Sequence, residues 1–141
     1  MPEDDPDPWR DLVLTRIIEP RLEGAWFVYD YPASQAALAR LRPGEPSVAE
    51  RFEFYLDGVE LANGFVELTD AAEQRARFEA ENAARRAAGL PVMPLDERLL
   101  AALAAGLPEC AGMALGLDRV LMLAAGRASL AEVLAFPFGR A

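Results

Sequence analysis

The 141-residue chain contains no histidine and only one cysteine, Cys110. Without histidine it lacks the commonest general base and the commonest zinc ligand, which excludes serine–histidine and cysteine–histidine mechanisms within these residues. A lone cysteine cannot close an internal disulfide, and Cys110 reads as a packed small residue, not a nucleophile. Blocks of basic residues are also missing. Fourteen Lys and Arg against twenty-three Asp and Glu leave a formal charge of −9, so the electrostatic footprint that binds a phosphate backbone is absent and nucleic acid is not the expected partner. No apolar run approaches the roughly 20 residues of a membrane-spanning helix, and the opening MPEDDPDPW is acidic and proline-rich where a signal peptide would be basic and then apolar. Both features predict a cytoplasmic protein.

What is present is enough for one domain with a hydrophobic core: 52% of the residues are hydrophobic and 26% are charged. After a flexible-looking stretch at 1–8, residues 9–18 carry Trp9, Leu12, Val13 and Ile17 at helical spacing, and Pro20 ends the helix. Residues 26–31 are aromatic and β-branched and read as a strand ending at Pro32, followed over 32–41 by a loop and a short alanine-rich helix. Asp57-Gly58 lies between two apolar-rich runs, 52–56 and 59–68, the strongest short-range hairpin signature, because both turn residues must accept positive φ. Asp70 with Glu73 three residues on opens a helix running to about Ala88, and a second helix covers 96–105 before Gly106. Residues 111–115 suit a buried strand, and 117–125 return to a helical period that ends at Gly126. Trp9 and Trp26 are expected in the core, and the acidic helix from Asp70 presents a solvated face. This order predicts an α+β fold, an antiparallel sheet with helices packed on one side.

Two segments carry chemistry. In the first, 60–67, Glu60, Asn63 and Glu67 stand among apolar positions. Alternation along a strand puts Asn63, Phe65 and Glu67 on one face, and Glu60 falls on the other unless a bulge or bend intervenes. A carboxylate, an amide and an aromatic ring side by side suit an ammonium ligand. The same glutamates could equally occupy the wet ends of a half-exposed strand. The second segment, 112–119, has Gly112, Ala114 and Gly116 at every second position and leads into a helix bearing Arg119. Small side chains let a flat ligand reach the backbone, and arginine can stack on a base or pair with a phosphate. Close strand–helix packing would use the same glycines.

In this order, and about fifty residues apart, the two segments resemble the end of the catalytic domain of class II aminoacyl-tRNA synthetases, with 60–67 similar to the lysyl-type segment and 112–119 similar to the ATP-binding motif 3. The resemblance is closer still to the elongation factor P (R)-β-lysine ligases, synthetase-like enzymes without an anticodon-binding domain. It extends from about Trp26 to Ala141 through Tyr31-Pro32-Ala33-Ser34-Gln35, Glu50-Arg51-Phe52-Glu53, Gly89-Leu90-Pro91 and Leu107-Pro108-Glu109-Cys110.

The resemblance implies a role for each residue. Glu60 and Leu61 would lie at ATP, with Glu60 helping to hold Mg²⁺. Asn63, Phe65 and Glu67 would line the amino-acid pocket, Glu67 facing an amino group. Gly116 would admit the nucleotide, and Arg119, with Glu60, would be catalytic, contacting adenine or the γ-phosphate. Ala114 stands where lysyl-tRNA synthetases usually carry glycine, and its methyl would project towards the substrate. The implied reaction joins a lysine-type amino acid to AMP and passes it to a lysine side chain of elongation factor P; transfer to tRNA, or a binding module without turnover, are the alternatives. The family's motif 1, which builds a homodimer, and motif 2, whose arginine holds the α-phosphate, are not recognisable. The expectation is therefore the C-terminal part of the catalytic domain, inactive alone.

Overall fold

The structure, a computed structural model, describes residues 6–140. Of the residues expected to be flexible, 1–5 lie outside the described residues, while Asp7 and Pro8 form the first turn of α1 (Asp7–Val13). Proline fits there because the first helical N–H groups have no intrahelical acceptor to lose. The helical path continues as a π turn, Leu14–Ile18, and a 3₁₀ turn, Glu19–Arg21, so Pro20 is accommodated in the tighter turn instead of ending the segment.

Five strands follow: β1 (Ala25–Pro32), β2 (Leu41–Arg42), β3 (Val48–Leu56), β4 (Val59–Val66) and β5 (Ala111–Leu115). They are hydrogen-bonded in the order β1-β3-β4-β5, with β2 paired antiparallel to β3, Leu41 against Ala49. Asp57 and Gly58 make the β3–β4 turn with φ of 49° and 76°, the type I′ requirement anticipated from the pair. The turn is held from outside as well. Gly24 N–H donates to the Asp57 carboxylate at 2.7 Å, and a Cβ at Gly58 would meet the Glu19 carbonyl oxygen at 2.8 Å, so no other residue fits.

The alanine-rich stretch after Pro32 forms only a 3₁₀ turn, Ala33–Gln35, before β2. A loop and a short alanine-rich helix were expected; alanine's high propensity cannot nucleate an α-helix over so few residues between two strands. Helix α2 (Ala71–Ala87) is capped by the Asp70 carboxylate, which accepts from Ala72 N–H at 2.8 Å and Glu73 N–H at 3.0 Å. Glu73 does not complete a capping box; its carboxylate is taken by Arg77 one turn on. Helix α3 (Glu97–Gly106) has Asp96 as its cap, and α4 (Leu117–Ala124) follows β5 directly.

The described residues fall into two compact units, each built from separated stretches. One holds the chain to Asp30, Phe52–Gly64 and Met113–Ala141; the other holds Tyr31–Arg51 and Phe65–Gly112. In the first, Tyr55, Leu61, Ala62 and Met122 are buried, and Phe27 stacks on Phe52 and Phe54. In the second, α2 packs on α3, Leu100, Leu103 and Leu68 are buried with Ala36, Ala39 and Ala49, and the Asn82 side-chain amide ties α2 to the Met93 backbone, donating to its carbonyl and accepting from its N–H.

Three burial expectations are corrected. Trp9 and Trp26 are half exposed; the Trp26 indole N–H donates to the Glu23 carbonyl at 2.9 Å, so its polar end is served at the surface. Strand β5 is exposed along its whole length. It ends the strand order, so its small side chains have a neighbouring strand only on the β4 side. Cys110 is exposed and free for the same reason, lying just before that strand.

Candidate functional site

In the first unit, α4 starts straight out of β5, with Gly116 as its N-cap. Gly116 N–H donates to the Leu61 carbonyl at 2.8 Å, which fixes the strand-to-helix corner against β4. One turn into the helix, Arg119 Nη1 donates to the Glu60 carbonyl oxygen at 2.7 Å and to Glu60 Oε2 at 3.3 Å. Glu60, Leu61, Gly116 and Arg119, four residues singled out by sequence, are thus one cluster. Both members of the ion pair are partly exposed, so its worth to stability is small. Its consequence is positional: one guanidinium nitrogen is committed to β4, and the remaining donors of the fork stay available for a planar or phosphate partner. Gly116 has an ordinary negative φ, and a Cβ there would only touch the Arg119 stem at 3.4 Å. Its smallness therefore matters for the space beside Arg119.

Asn63 belongs to the same unit. Its Nδ2 donates to Glu53 Oε1 at 3.3 Å, and Glu53 Oε2 accepts a 2.6 Å bond from the Tyr55 hydroxyl, which also lies 3.1 Å from Glu19. A hydroxyl carries one proton, so the shorter contact marks Glu53 as its acceptor. Glu53 is 8% exposed. Sequence reading quoted this residue but gave it no role; a glutamate among Phe52, Phe54 and Tyr55 on a strand was the available signal. A ladder running straight out from the two-residue turn would place Glu53 opposite Ala62, on the other face from Asn63. Their hydrogen bond spans that difference of parity.

Between β4 and β5, Gly116 N–H bonds the Leu61 carbonyl in the first unit, and Glu67 N–H bonds the Cys110 carbonyl at 3.0 Å in the second. Counting two residues along the antiparallel strands from each bond sets Ala114 opposite Asn63 in the first unit and Gly112 opposite Phe65 in the second, and directly opposed residues point to the same face.

The second unit holds Phe65 and Glu67. Ala39 bridges Glu67, and the Glu67 side chain is half buried. No side chain donates to its carboxylate among the described residues, and three arginines of this unit are engaged elsewhere. Arg40 pairs with Glu50 at 2.5 Å and Glu109 at 3.1 Å, its guanidinium held further into the charged form by Glu50. Arg51 lies over the Tyr31 ring at 4.1 Å, and Arg77 binds Glu73 and the carbonyls of Ala37 and Ala39. Glu67 is left with carboxylate oxygens directed past Gly112, where a Cβ would sit 3.0 Å from Oε1. An open groove of about 810 Å³ runs between residues 33–38 and α2, lined in part by Glu73 and Arg77, but none of the site residues singled out by sequence lines it.

No group of three or more Asp, Glu, Cys or His that could hold a metal occurs among the described residues. Mg²⁺ takes most of its ligands from water and substrate phosphate and needs only one or two carboxylates, which Glu60 with its half-exposed side chain satisfies. Likewise no helix of the described residues is long and apolar enough to cross a membrane.

A family model for class II tRNA synthetases (D, K and N) matches residues 9–140. The chain belongs to that family. Among its synthetase-family relatives, the elongation factor P–(R)-beta-lysine ligase of Vibrio cholerae is 56% identical over 99% of this chain and 44% of its own length. The protein of the same name from Klebsiella pneumoniae is 55% identical over 99% of this chain and 43% of its own. The chain therefore spans less than half the length of these relatives. The antiparallel sheet with helices is the class II synthetase architecture expected from the sequence.

Proposed function

We propose that this chain contributes to an AMP-forming ligase that activates a lysine-type amino acid, (R)-β-lysine, with ATP and passes it to a lysine side chain of elongation factor P. The observation that carries the chemistry is the division of labour between two carboxylates. Glu60 is tied to Arg119, whereas Glu67 is half buried with no cation of its own among the described residues. A carboxylate in that state is poised for an ammonium supplied from outside, since the bond it then makes is charge-assisted and partly desolvated. The name and 56% identity of the Vibrio cholerae relative support the acceptor and the choice of lysine.

In this proposal Glu67, Phe65 and Asn63 hold the amino acid by ion pairing, ring contact and hydrogen bonding. Arg119 spreads its unused donors over the nucleotide, with Leu61 and Gly116 shaping the corner beside it. Glu60 would help to hold Mg²⁺, which would supply positive charge beside the nucleotide phosphates. The amino-acid carboxylate attacks the α-phosphorus, the bond to the bridging oxygen breaks, and aminoacyl-adenylate and pyrophosphate result. Catalysis comes mainly from positioning and fixed charge. The assembled ligase is a homodimer in this proposal, as the family resemblance implies.

Amino-acid-dependent ATP–pyrophosphate exchange by the native gene product tests the assignment. Glu67→Gln is expected to raise the amino-acid KM about tenfold or more with little change for ATP, the loss of one charge-assisted bond. Glu60→Gln should instead alter Mg²⁺ and ATP dependence. Reversed effects would exchange the two roles, and no exchange with either lysine would refute the proposal.

A further inference from the structure

Small residues in 112–119 are explained so far by room for a nucleotide. Gly112 does not fit that explanation. It lies opposite Phe65 in the β4–β5 register, diagonal to Glu67, and the place its side chain would occupy is crowded: a Cβ there would stand 3.0 Å from Glu67 Oε1. Gly112 has no positive φ that would otherwise demand glycine. By contrast, a Cβ at Gly116 meets only the flexible Arg119 stem at 3.4 Å and a carbonyl at 3.6 Å. The two glycines therefore do different work.

We infer that Gly112 is a positioning residue for the amino-acid side of the site: its missing side chain lets the Glu67 carboxylate lie across β5, in the one orientation that meets the substrate's amino group. The inference rests on the assignment of Glu67 proposed above. The physical reasoning is short. Glu67 has no donor among the described residues to fix its carboxylate, so the rotamer is set by sterics and by the backbone around it. Its own backbone is fixed by the bond to Cys110 and the bridge to Ala39, leaving only the side-chain torsions free. A methyl at position 112 would press on the carboxylate, because 3.0 Å is tighter than a carbon and an oxygen normally approach. The Glu67 carboxylate would have to give by a few tenths of an ångström, and a charge-assisted hydrogen bond weakens as its alignment is disturbed. Phe65, opposite Gly112, keeps its place.

The test is Gly112→Ala in the native gene product, read by exchange kinetics with the amino acid and ATP varied separately. The amino-acid KM is expected to rise about tenfold while the ATP KM moves less than about twofold. In a Glu67→Gln background the same change should add little, since the two act through one contact. An ATP KM that rises while the amino-acid KM stays put, or effects that simply add, would overturn the inference. If Gly112→Ala does not fold, Glu67→Ala should restore folding by removing the atom the methyl meets, and a double variant that stays unfolded would place the constraint elsewhere. A readout without turnover separates this inference from the proposed function: the Glu67 side-chain carboxyl carbon, followed by NMR, should shift in Gly112→Ala. A shifted resonance in a protein with no exchange activity would uphold the positioning and refute only the function. An unshifted one would refute the positioning.

Discussion

Ala114 lies opposite Asn63, and opposed side chains share a face, so its methyl stands beside the amide assigned to substrate binding. A methyl close to the α-amino position of α-lysine would crowd it, while a β-amino acid carries that nitrogen one carbon further on. Discrimination by a single methyl is typically worth about 1–3 kcal/mol. Ala114→Gly is accordingly expected to raise activity with α-lysine relative to (R)-β-lysine by about tenfold, measured as the ratio of catalytic efficiencies in parallel adenylate-formation assays. An unchanged ratio would mean that Ala114 only fills space. At this scale the sequence singled out Glu60, Leu61, Gly116 and Arg119, which lie together in the first unit, while their roles at a nucleotide belong to the proposal. Glu53 was not legible as part of the site, because nothing in a strand pattern reveals that a buried glutamate is held by the Tyr55 hydroxyl and the Asn63 amide. The exposure of Cys110 was equally hidden, since it depends on which strand ends the sheet.

Among the elements, α2 shows how a local rule gives the boundary but not the bonding. Asp70 caps the helix as its type and position dictate, and removing the cap in Asp70→Ala should cost about 1 kcal/mol in denaturant unfolding. Glu73 was expected to close the box and instead answers Arg77, which also reaches the carbonyls of Ala37 and Ala39. A distant backbone outbid the local cap, and that competition cannot be read from spacing. The genuine capping box, Ser129 with Glu132, went unnoticed because it opens only a 3₁₀ turn, Leu130–Glu132.

Helices α2 and α3 are also joined by Arg75 and Glu97 at 2.6 Å, and the hydrogen bond from Arg75 holds the Glu97 carboxyl below its ordinary range. A depressed carboxylate adds stability above its unfolded pKa and loses it as pH falls through the folded value. The stability difference between the parent and Arg75→Ala should therefore shrink as unfolding is measured from neutral pH down through the acid range below about 4. A difference that persists at low pH would mean the pair contributes packing and not charge.

For the whole chain, composition and order were enough to place an α+β antiparallel fold, and the hairpin at Asp57-Gly58 was its most legible part because two positive-φ residues leave few alternatives. Burial was the least legible property. Trp26, Phe27, Tyr29, Met113, Leu117 and Phe136 are apolar yet exposed, and Phe138 is 99% exposed. Strands β1 and β5, which end the strand order, carry several of them. Exposed apolar side chains on unpaired strand edges drive association. The 141 residues produced alone are thus expected to self-associate with rising concentration in sedimentation velocity, and to bind a dye that reports apolar surface. A monomer at high concentration without dye binding would contradict this.

The central claim concerns what the amino acid is joined to, and mass spectrometry of elongation factor P measures it most directly. After incubation of the native gene product with ATP, Mg²⁺ and (R)-β-lysine, elongation factor P should gain the mass of one β-lysyl group on a single lysine, and tRNA in a parallel reaction should gain none. Unmodified elongation factor P beside aminoacylated tRNA would contradict the claim.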